Sequence, residues 1–317
     1  MKEKSILIIG GSGFFGKSIL DYFARNIYLK NKIKKISVIS RNKINNSIVK
    51  KIKKNYKFKK INESILKVKI IPKANYVIYC ALLKNFKDDH LALKYYINLA
   101  KNYHKNSKIL YISSGAVYGK QPSIIKKIKE SHFSLKKSNK YFGSINKNQY
   151  SLLKKKNEDV FKKLGNYGIK ISIARCFAFV GRFLPRTSNY VVGNIIENIL
   201  NNQDISIKSN YNVFRSYMYA DDLVRWLVKI VENSKVNCPV YNVGSESGVN
   251  IHKFGSILAK KYNLNCPVRK IDEKRYDMYI PSTNKIKKEL NLITKFNSLQ
   301  AVNKTINLLK KNDENKD

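Results

Sequence analysis

Three glycines, at positions 10, 13 and 16, directly follow a short apolar run near the start of the chain. The run Ser5–Ile9 has the character of a buried strand, and Gly16–Lys30 has the apolar spacing of an amphipathic helix. Glycines at such a junction let the backbone turn tightly and approach a pyrophosphate, which the N–H groups of the helix N-terminus attract. A plain strand–helix turn is the alternative, but the spacing in this context favours dinucleotide binding. The residues expected to contact the cofactor here are Gly10, Gly13, Phe14, Phe15 and Gly16.

The first half of the chain alternates apolar runs with longer amphipathic stretches. Strands are expected at Ser5–Ile9, Ile36–Ser40, Tyr76–Ala81, Lys108–Ser113 and Lys170–Cys176, and helices at Gly16–Lys30, Leu91–Tyr103 and Tyr150–Leu164. Strands that alternate with helices form a parallel sheet covered on both faces. The sequence therefore predicts an α/β fold with a doubly wound parallel sheet of the Rossmann type.

Beyond Arg175 the pattern becomes mixed. Helices are expected at Val191–Leu200, Asp221–Val231, Ile251–Lys261 and Asn284–Leu290, and short strands at Asp204–Lys208 and Val240–Val243. The pair Asp221–Asp222 is expected to cap the helix that it precedes. This half predicts a smaller α+β lobe that binds the substrate. The expected division is a dinucleotide-binding domain at 1–178 to which 212–245 returns, a substrate-binding lobe at 179–211 and 246–309, and a polar tail at 310–317.

The second expected strand ends at Ser40, which Arg41 follows. An NAD-selective site usually carries an acidic residue at this place, where it binds the ribose 2′-hydroxyl. An arginine beside a serine is suited to a 2′-phosphate instead, so the sequence favours NADP over NAD. A solvent-facing Arg41 without a role is the alternative. Ala81, at the end of a later strand, is expected to contact the cofactor as well.

Serine, tyrosine and lysine follow at positions where acid–base chemistry can use them. Ser113 and Ser114 come at the carboxyl end of a predicted strand, where ligands of open α/β sheets bind. Tyr150 and Lys154 are four residues apart and therefore share one face of a helix. A lysine ammonium one turn away stabilises a phenolate, which allows the tyrosine to take a proton from a hydroxyl. An ordinary surface pair has the same spacing, but the order of these motifs after the glycine loop favours the catalytic interpretation.

Together these motifs resemble the extended short-chain dehydrogenase/reductase family, in its nucleotide-sugar epimerase/dehydratase branch. The resemblance runs from Ile6 to about Leu292 and rests on GGSGFFG at 10–16, ISSGAVYG at 112–119, YSLLK at 150–154, RCFAFVG at 175–181, RSYMYADDL at 215–223 and YNVGS at 241–245. It implies that Ser114 hydrogen-bonds the reacting hydroxyl, that Tyr150 is the general base, and that Lys154 holds Tyr150 and the nicotinamide ribose. It also implies a homodimer with a four-helix interface and three substrate contacts, namely Arg215 and Arg275 on the diphosphate, and Asn194.

The resemblance implies an NAD(P)-dependent enzyme that oxidises or reduces a nucleotide-sugar at C4. Sugar dehydratases of the family carry acidic residues directly after the catalytic Ser or Thr, where this chain has Gly115 and Ala116. Epimerase or keto-reductase chemistry is therefore expected ahead of 4,6-dehydration. Tyr141, which lies in a similar motif, is rejected as the base because Ile145 instead of lysine follows four residues later. A non-catalytic module that binds a dinucleotide or RNA is the alternative from another class.

The chain carries 63 Lys and Arg against 21 Asp and Glu, a formal net charge of +42. Such a balance is typical of proteins that bind nucleic acid. Most of the basic residues are lysines spread over the whole chain, however, and abundant Lys, Asn and Ile also fit a codon bias. Nucleic-acid binding is therefore not expected as the main function.

The cysteine, histidine and hydropathy patterns bear on whether the chain is a metal-binding, membrane or exported protein. The four cysteines lie far apart without a C-x-x-C pair and the four histidines are scattered, so no metal site is expected. Apolar stretches stay far below the roughly 20 residues that span a bilayer, and the apolar start is bounded like a strand, not like a signal peptide. A cytoplasmic protein without membrane contact is the expectation.

Overall fold

The computed structural model describes residues 3–26, 33–122, 124–132, 145–186, 190–267 and 270–313. Tyr141, the rejected alternative base, and the end of the first predicted helix lie outside these ranges. The strands are β1 (Lys4–Ile9), β2 (Ile33–Ile39), β3 (Lys57–Ile61), β4 (Tyr76–Tyr79), β5 (Lys108–Ser114), β6 (Lys170–Cys176), β7 (Phe179–Val180), β8 (Tyr211–Ser216), β9 (Met218–Tyr219), β10 (Val240–Val243), β11 (Gly248–Asn250) and β12 (Asp272–Tyr279).

In the sequence, the helices lie between these strands and after the last of them. They are α1 (Phe14–Arg25), α2 (Asn46–Asn55), α3 (Phe86–Tyr103), α4 (Ile145–Lys162), α5 (Val191–Leu200), α6 (Ala220–Glu232), α7 (Ile251–Lys261), α8 (Asn284–Leu290) and α9 (Ser298–Asp313), with short 3-10 helices at Gly115–Tyr118 and Lys163–Tyr167. Helix α3 begins five residues before its predicted start, because the Asn85 side chain caps it by accepting a hydrogen bond from the Lys87 amide at 2.8 Å.

The main sheet has the strand order β10-β6-β5-β4-β1-β2-β3. Strand β1 pairs in parallel with β2 and with β4, and the β2–β3 and β4–β5 pairs are parallel as well. The chain runs outward from β1 to β3 and then crosses to β4 on the other side of β1. Ligands of open α/β sheets bind at the carboxyl ends of the strands beside such a reversal. The predicted fold class, a Rossmann-type parallel sheet covered by helices, is confirmed.

Strand β1 lies inside this sheet, between β4 and β2, and its sequence explains the position. Four consecutive residues, Ile6 to Ile9, are each at most 1% exposed. A strand buried on both faces needs such an unbroken apolar run instead of an alternating one. The run ends directly before Gly10, so this buried strand leads into the glycine loop.

The chain divides into two compact units, each with its own hydrophobic core. Unit 1 comprises Met1–Val117, Phe142–Arg175 and Val224–Tyr241, and unit 2 comprises Tyr118–Tyr141, Cys176–Leu223 and Asn242–Asp317. The core of unit 1 packs helices α3 and α4 on the main sheet, and the core of unit 2 unites residues of α5, α7 and α9. From the segment 212–245, β10 joins the main sheet, whereas β8 forms part of a sheet in unit 2.

Unit 2 contains a three-stranded sheet with the order β11-β8-β12. Strand β8 pairs antiparallel with β11 and parallel with β12. The strand predicted at Asp204–Lys208 is wrong: Ile205 and Ile207 are buried as an alternating pattern requires, but this segment belongs to none of the strands in the described chain. The predicted cap Asp221–Asp222 is also wrong, because both residues lie inside the first turn of α6. The Asp222 carboxylate instead accepts a hydrogen bond from the Lys295 amide at 2.7 Å.

The sequence predicts neither a membrane-spanning segment nor a metal site. Within the described ranges, no helix has both the length and the apolar character needed to cross a membrane. In the same ranges, His, Cys, Asp and Glu side chains do not come together in threes as ligands for a metal ion.

Glu246 connects three segments of unit 2. Its carboxylate accepts hydrogen bonds from the Thr283 amide at 2.6 Å and hydroxyl at 2.8 Å, and from Lys127 Nζ at 2.7 Å. Lys287 Nζ lies 3.5 Å away. Partial burial alone would raise the pKa of this carboxyl, but the hydrogen bonds from Lys127 and Thr283 and the charge of Lys287 outweigh it and lower the pKa to about 2.

We expect the Glu246→Gln variant to be less stable than the wild type near neutral pH, by about 1–3 kcal/mol, because charge-assisted hydrogen bonds are lost. The pKa of Glu246 is lower in the folded chain than in the unfolded one, so the carboxylate stabilises the fold fully above about pH 5. This stabilisation is lost as the pH falls toward 2. Urea unfolding of both proteins across this range measures the difference. Glu273→Gln, a change at an exposed glutamate of unit 2, is the control, and a difference that persists at low pH would contradict the assignment.

Candidate active site

The glycine loop after β1 forms a tight backbone cradle in unit 1. The Gly10 amide donates to the Ile39 carbonyl at 2.9 Å, and Gly10 has a φ of +103°, which favours glycine. A Cβ at Gly10 would lie 2.5 Å from the Ala81 backbone nitrogen, and a Cβ at Gly16 would lie 2.4 Å from the Gly10 carbonyl oxygen. Side chains are thus excluded at both positions, and the end of β4 with Ala81 is brought against the loop.

Gly13 differs from Gly10 and Gly16 of the same loop. It is the N-cap of α1, with extended backbone, and a Cβ there would approach only one described atom within 4 Å, the Gly10 carbonyl oxygen at 3.7 Å. The first turn of α1, all of it described, contains no acidic residue. Phe14 and Phe15 open the helix with their rings edge to face at 5.5 Å between centroids. A helix N-terminus approached over glycine and without a carboxylate is suited to hold the pyrophosphate of a dinucleotide.

Ser40 and Arg41 follow β2 at the edge of this cradle. Ser40 is buried, and its hydroxyl donates to the Asn42 carbonyl at 3.1 Å. Arg41 is exposed. The serine therefore orders the turn after β2, and the arginine side chain reaches solvent on the side of β1 where β2 lies.

Ser114 is the last residue of β5 and is buried. Its hydroxyl accepts a hydrogen bond from the Ala116 amide at 3.1 Å, which leads the chain into the 3-10 helix Gly115–Tyr118. The Ser151 hydroxyl of α4 donates to the Ala116 carbonyl at 2.6 Å. Since Ser151 follows Tyr150, this bond attaches the beginning of α4 to the segment that carries Ser114.

Tyr150 and Lys154 lie one turn apart on α4, with Lys154 Nζ 5.9 Å from the centroid of the Tyr150 ring. The Tyr150 ring also lies 6.4 Å from that of Phe86 at the start of α3. Lys154 is 4% exposed, and its ammonium donates to the Tyr111 hydroxyl at 3.3 Å and to the Ile112 carbonyl at 3.4 Å. The structure thus brings the predicted tyrosine and lysine together beside β5.

The ammonium of Lys154 remains charged in spite of its burial. Burial by itself lowers the pKa of a lysine, but interactions with Tyr111, Tyr150 and Asp89 outweigh it and raise the pKa of Lys154 above its usual value. This ammonium lies one helical turn from Tyr150, an arrangement of tyrosine and lysine that is suited to acid–base chemistry.

The predicted substrate contacts lie in unit 2. Arg215 on β8 donates to the Asp277 carboxylate at 2.8 Å and to its carbonyl at 2.9 Å. Arg275 on β12 is exposed and stacks on the Tyr211 ring at 4.0 Å. The two arginines are thus brought onto neighbouring strands, while Asn194 lies on an exposed part of α5.

Several polar residues of unit 1 that the motifs do not single out lie on α4 or contact it. Tyr111 holds Lys154, and Asn157 Nδ2 donates to the Asp89 carboxylate at 3.2 Å while its oxygen lies 2.6 Å from His90 Nδ1. Glu158 binds Ser113 and Arg175. One signal was available in the sequence: Ser151, Lys154 and Glu158 recur at helical spacing on the face of α4 that an amphipathic helix would fill with apolar residues.

The parallel sheet, whose chain order reverses beside β1, and the glycine loop define a Rossmann-type α/β fold. Residues 6–244 match the model of the NAD dependent epimerase/dehydratase family. The chain belongs to this family, which confirms the family predicted from its motifs.

Curated relatives share about a quarter of the aligned residues. The bifunctional polymyxin resistance protein ArnA of Wigglesworthia glossinidia brevipalpis is 28% identical over 270 residues, which are 76% of this chain and 38% of that protein. The dTDP-D-glucose 4,6-dehydratase of Dictyostelium discoideum is 27% identical over 268 residues, 77% of this chain and 58% of that protein. The chain therefore spans well under the full length of both relatives.

Solved structures show the same fold. The UDP-glucose 4-epimerase of Thermotoga maritima, crystallised with UDP-glucose, gives a TM-score of 0.74 at 18% identity and covers 97% of this chain and 99% of its own. The dTDP-glucose 4,6-dehydratase of Bacillus anthracis, in complex with NAD, gives a TM-score of 0.78 at 16% identity, with 98% of each chain covered. At these identities the likeness establishes the fold alone.

Proposed function

We propose that this chain is an NAD(P)-dependent enzyme that oxidises or reduces a nucleotide-sugar at C4 with Ser114, Tyr150 and Lys154. The observation that carries the proposal is the buried Lys154 ammonium, 5.9 Å from the Tyr150 ring, in the same unit as the glycine cradle at the start of α1. Membership of the epimerase/dehydratase family supports it.

The cofactor is proposed to bind over the cradle, with its pyrophosphate at Gly10, Gly13 and the start of α1. The loop fits this role because the Gly13 position leaves space in front of the helix N-terminus. A bound nicotinamide dinucleotide supplies the acceptor and donor of the hydride. NADP is proposed in preference to NAD, because β2 is followed by Ser40 and an exposed Arg41 where an NAD site usually carries an acid.

In the proposed mechanism the chain moves a proton at the Tyr150 hydroxyl. Tyr150, as a phenolate beside the Lys154 ammonium, takes the proton from the C4 hydroxyl of the sugar and later returns it. The Ser114 hydroxyl donates a hydrogen bond to the reacting oxygen. Lys154 would also hold the ribose of a bound nicotinamide cofactor, and its contacts with Tyr111 and the Ile112 carbonyl keep the ammonium at a defined position.

The fate of the 4-keto sugar is proposed to be re-reduction on either face, as in an epimerase or keto-reductase. Elimination of water needs a further acid and base near the sugar ring, and the 3-10 helix after Ser114 begins with Gly115 and Ala116. Neither side chain can exchange a proton. A 4,6-dehydratase is therefore the second choice, although one curated relative bears that name.

The nucleotide-sugar is proposed to be held by Arg215 and Arg275 through its diphosphate and by Asn194. Support comes from the guanidinium groups, which present paired N–H donors that match phosphate geometry. The Asp277 carboxylate, 2.8 Å from Arg215, holds that guanidinium and competes with phosphate for it.

The proposed location is the cytoplasm: none of the four cysteines, all in the described ranges, forms a disulfide.

Turnover of a panel of UDP- and dTDP-sugars by the purified full chain, with NAD and with NADP, tests the proposal. Proton NMR of the sugar distinguishes a C4 epimer, a released 4-keto sugar and a 4-keto-6-deoxy product, while absorbance follows the nicotinamide. We expect the C4 epimer, or reduction at C4 where a 4-keto sugar and the reduced cofactor are supplied. Cofactor binding without change in any sugar would instead indicate a non-catalytic dinucleotide-binding module.

A homodimer through α3 and α4 is proposed as well. The two helices pack against each other in unit 1, and Leu91 on α3 and Leu152 on α4 are 53% and 54% exposed. Leucines exposed on adjoining helices are suited to burial against the same helices of a second copy.

We expect sedimentation velocity to show a dimer for the wild type and a monomer for the Leu91→Lys/Leu152→Lys variant. Lysine ammonium groups cannot be buried unpaired in such an interface without a cost of several kcal/mol. Ile70→Lys, a change at another exposed apolar residue of unit 1 that is 72% exposed, is the control and is expected to stay dimeric. A wild-type monomer would exclude this interface.

A further inference from the structure

The face of α4 that packs on the sheet is unusually polar. Ser151, Lys154, Asn157 and Glu158 are each at most 4% exposed. Each forms a hydrogen bond to another segment: Ser151 to the Ala116 carbonyl, Lys154 to β5, Asn157 to α3, and Glu158 to β5 and β6. Apolar packing tolerates small slips of a helix, whereas hydrogen bonds have strict distance and angle requirements. The polar face therefore specifies the position of α4 on the sheet.

Glu158 forms the strongest of these connections. The Ser113 hydroxyl donates to Glu158 Oε1 at 2.6 Å, and the Arg175 guanidinium donates to the same carboxylate from Nη2 at 2.8 Å and from Nε at 3.1 Å. The side chains of Arg175 and Glu158 are 3% and 1% exposed. One carboxylate thus joins α4 to the ends of two neighbouring strands, β5 and β6.

A buried ion pair is an expensive way to stabilise a fold, because both charges lose their hydration. Apolar residues of similar volume would often serve stability equally well. The Arg175–Glu158 pair instead restricts both side chains to a single geometry. Ser113 precedes Ser114 in β5, and Glu158 lies one turn beyond Lys154 and two turns beyond Tyr150 on α4. The Ser113–Glu158 bond therefore relates the strand that carries the serine to the helix that carries the tyrosine and the lysine.

We propose that Ser113 and Glu158, with Arg175 orienting the carboxylate, are positioning residues that hold Tyr150 and Lys154 in register with Ser114. This inference rests on the proposed function, because it assigns a role in the same reaction. Neither Ser113 nor Glu158 contacts the reacting atoms in this role. They act through the placement of α4, and a displacement of about 1 Å at a reacting group can lower turnover as much as 100-fold.

The Ser113→Ala variant tests the inference, with Ser172→Ala as a matched control. Ser172 is a fully buried serine in the neighbouring strand β6, and its hydroxyl lies 2.7 Å from that of Ser234. Each change deletes one buried hydroxyl and its hydrogen bond from the same sheet, so both are expected to lower the urea midpoint similarly. We expect Ser113→Ala to lower kcat about tenfold or more, with KM within about twofold, and Ser172→Ala to leave both within about twofold of wild type.

Equal kcat values for the two variants, or a loss confined to KM, would overturn the inference. A second measurement does not depend on turnover: the resonance of the Tyr150 ring carbon that bears the hydroxyl, in protein labelled with ¹³C-tyrosine and assigned by its absence in Tyr150→Phe. We expect this resonance to move in Ser113→Ala and to stay in place in Ser172→Ala. If the wild type turns over no sugar, the proposed function fails, and the Tyr150 resonance still decides whether Ser113 positions α4.

Discussion

Tyr150→Phe is expected to lower kcat about 100- to 10,000-fold, the range that general acid–base catalysis contributes. Phenylalanine keeps the ring that packs near Phe86 and Lys154 and removes only the hydroxyl that takes up the proton. Cofactor affinity and the urea midpoint are expected to stay close to those of the wild type. Steady-state kinetics on the sugar that the panel identifies, together with cofactor titration, measure the effect.

Tyr167→Phe is the matched control for this experiment. Tyr167 also pairs with a lysine: Lys101 Nζ lies 3.0 Å from its hydroxyl and 4.1 Å from its ring centroid. The hydrogen bond from Lys101 lowers the pKa of Tyr167, but this pair lies on the surface, where the tyrosine is 52% exposed. Its loss is expected to leave kcat unchanged. Comparable turnover by both variants would remove Tyr150 from the proposed mechanism.

Gly13→Ala is expected to raise the dissociation constant of the cofactor about 10- to 100-fold while the chain stays folded. The backbone of Gly13, with φ −79° and ψ 176°, is accessible to alanine, so stability is expected to change by less than about 1 kcal/mol. The added methyl group occupies the space through which the pyrophosphate approaches α1. Overpacking of this kind costs about 1–3 kcal/mol, and about 1.4 kcal/mol is a tenfold change in affinity. Isothermal titration and urea unfolding measure the two quantities.

Gly10→Ala is the contrasting change in the same loop. A methyl group there would meet the Ala81 backbone at 2.5 Å and force alanine to a φ of +103°. Strain and overlap together are expected to cost about 2–5 kcal/mol of folding free energy.

Wild-type cofactor affinity in Gly13→Ala would show that a dinucleotide does not approach over Gly13.

Segments with a strong apolar period were predicted with the bounds that the structure has. Strand β6, at Lys170–Cys176, and helices α5 and α7, at Val191–Leu200 and Ile251–Lys261, are examples. Such elements carry their own signals: α7, for example, follows Asn250, whose side chain accepts hydrogen bonds from two amides of the first turn. In these elements local patterning and capping agree with the tertiary fold.

Other segments depend on partners that the sequence does not indicate. Strand β12 at Asp272–Tyr279 has five exposed residues in succession and exists because its backbone pairs with β8. Asp204–Lys208 is the reverse case, since its alternating pattern is genuine but it joins no sheet in the described chain. Helix α9 continues to Asp313, into the expected polar tail, because Val302, Ile306 and Leu309 pack in the core of unit 2.

The sequence by itself determined the parallel sheet, the glycine loop and the spacing of Tyr150 and Lys154, because each of these is written in a continuous stretch of chain. Only the tertiary structure decided which side chains from distant segments hold these elements in place. Ser113, Glu158 and Arg175 come from three separate segments, and Asp277 meets Arg215 across 62 positions of sequence. No local pattern predicts such contacts, because a hydrogen bond between distant segments depends on how the strands are ordered and on where the helix settles upon them.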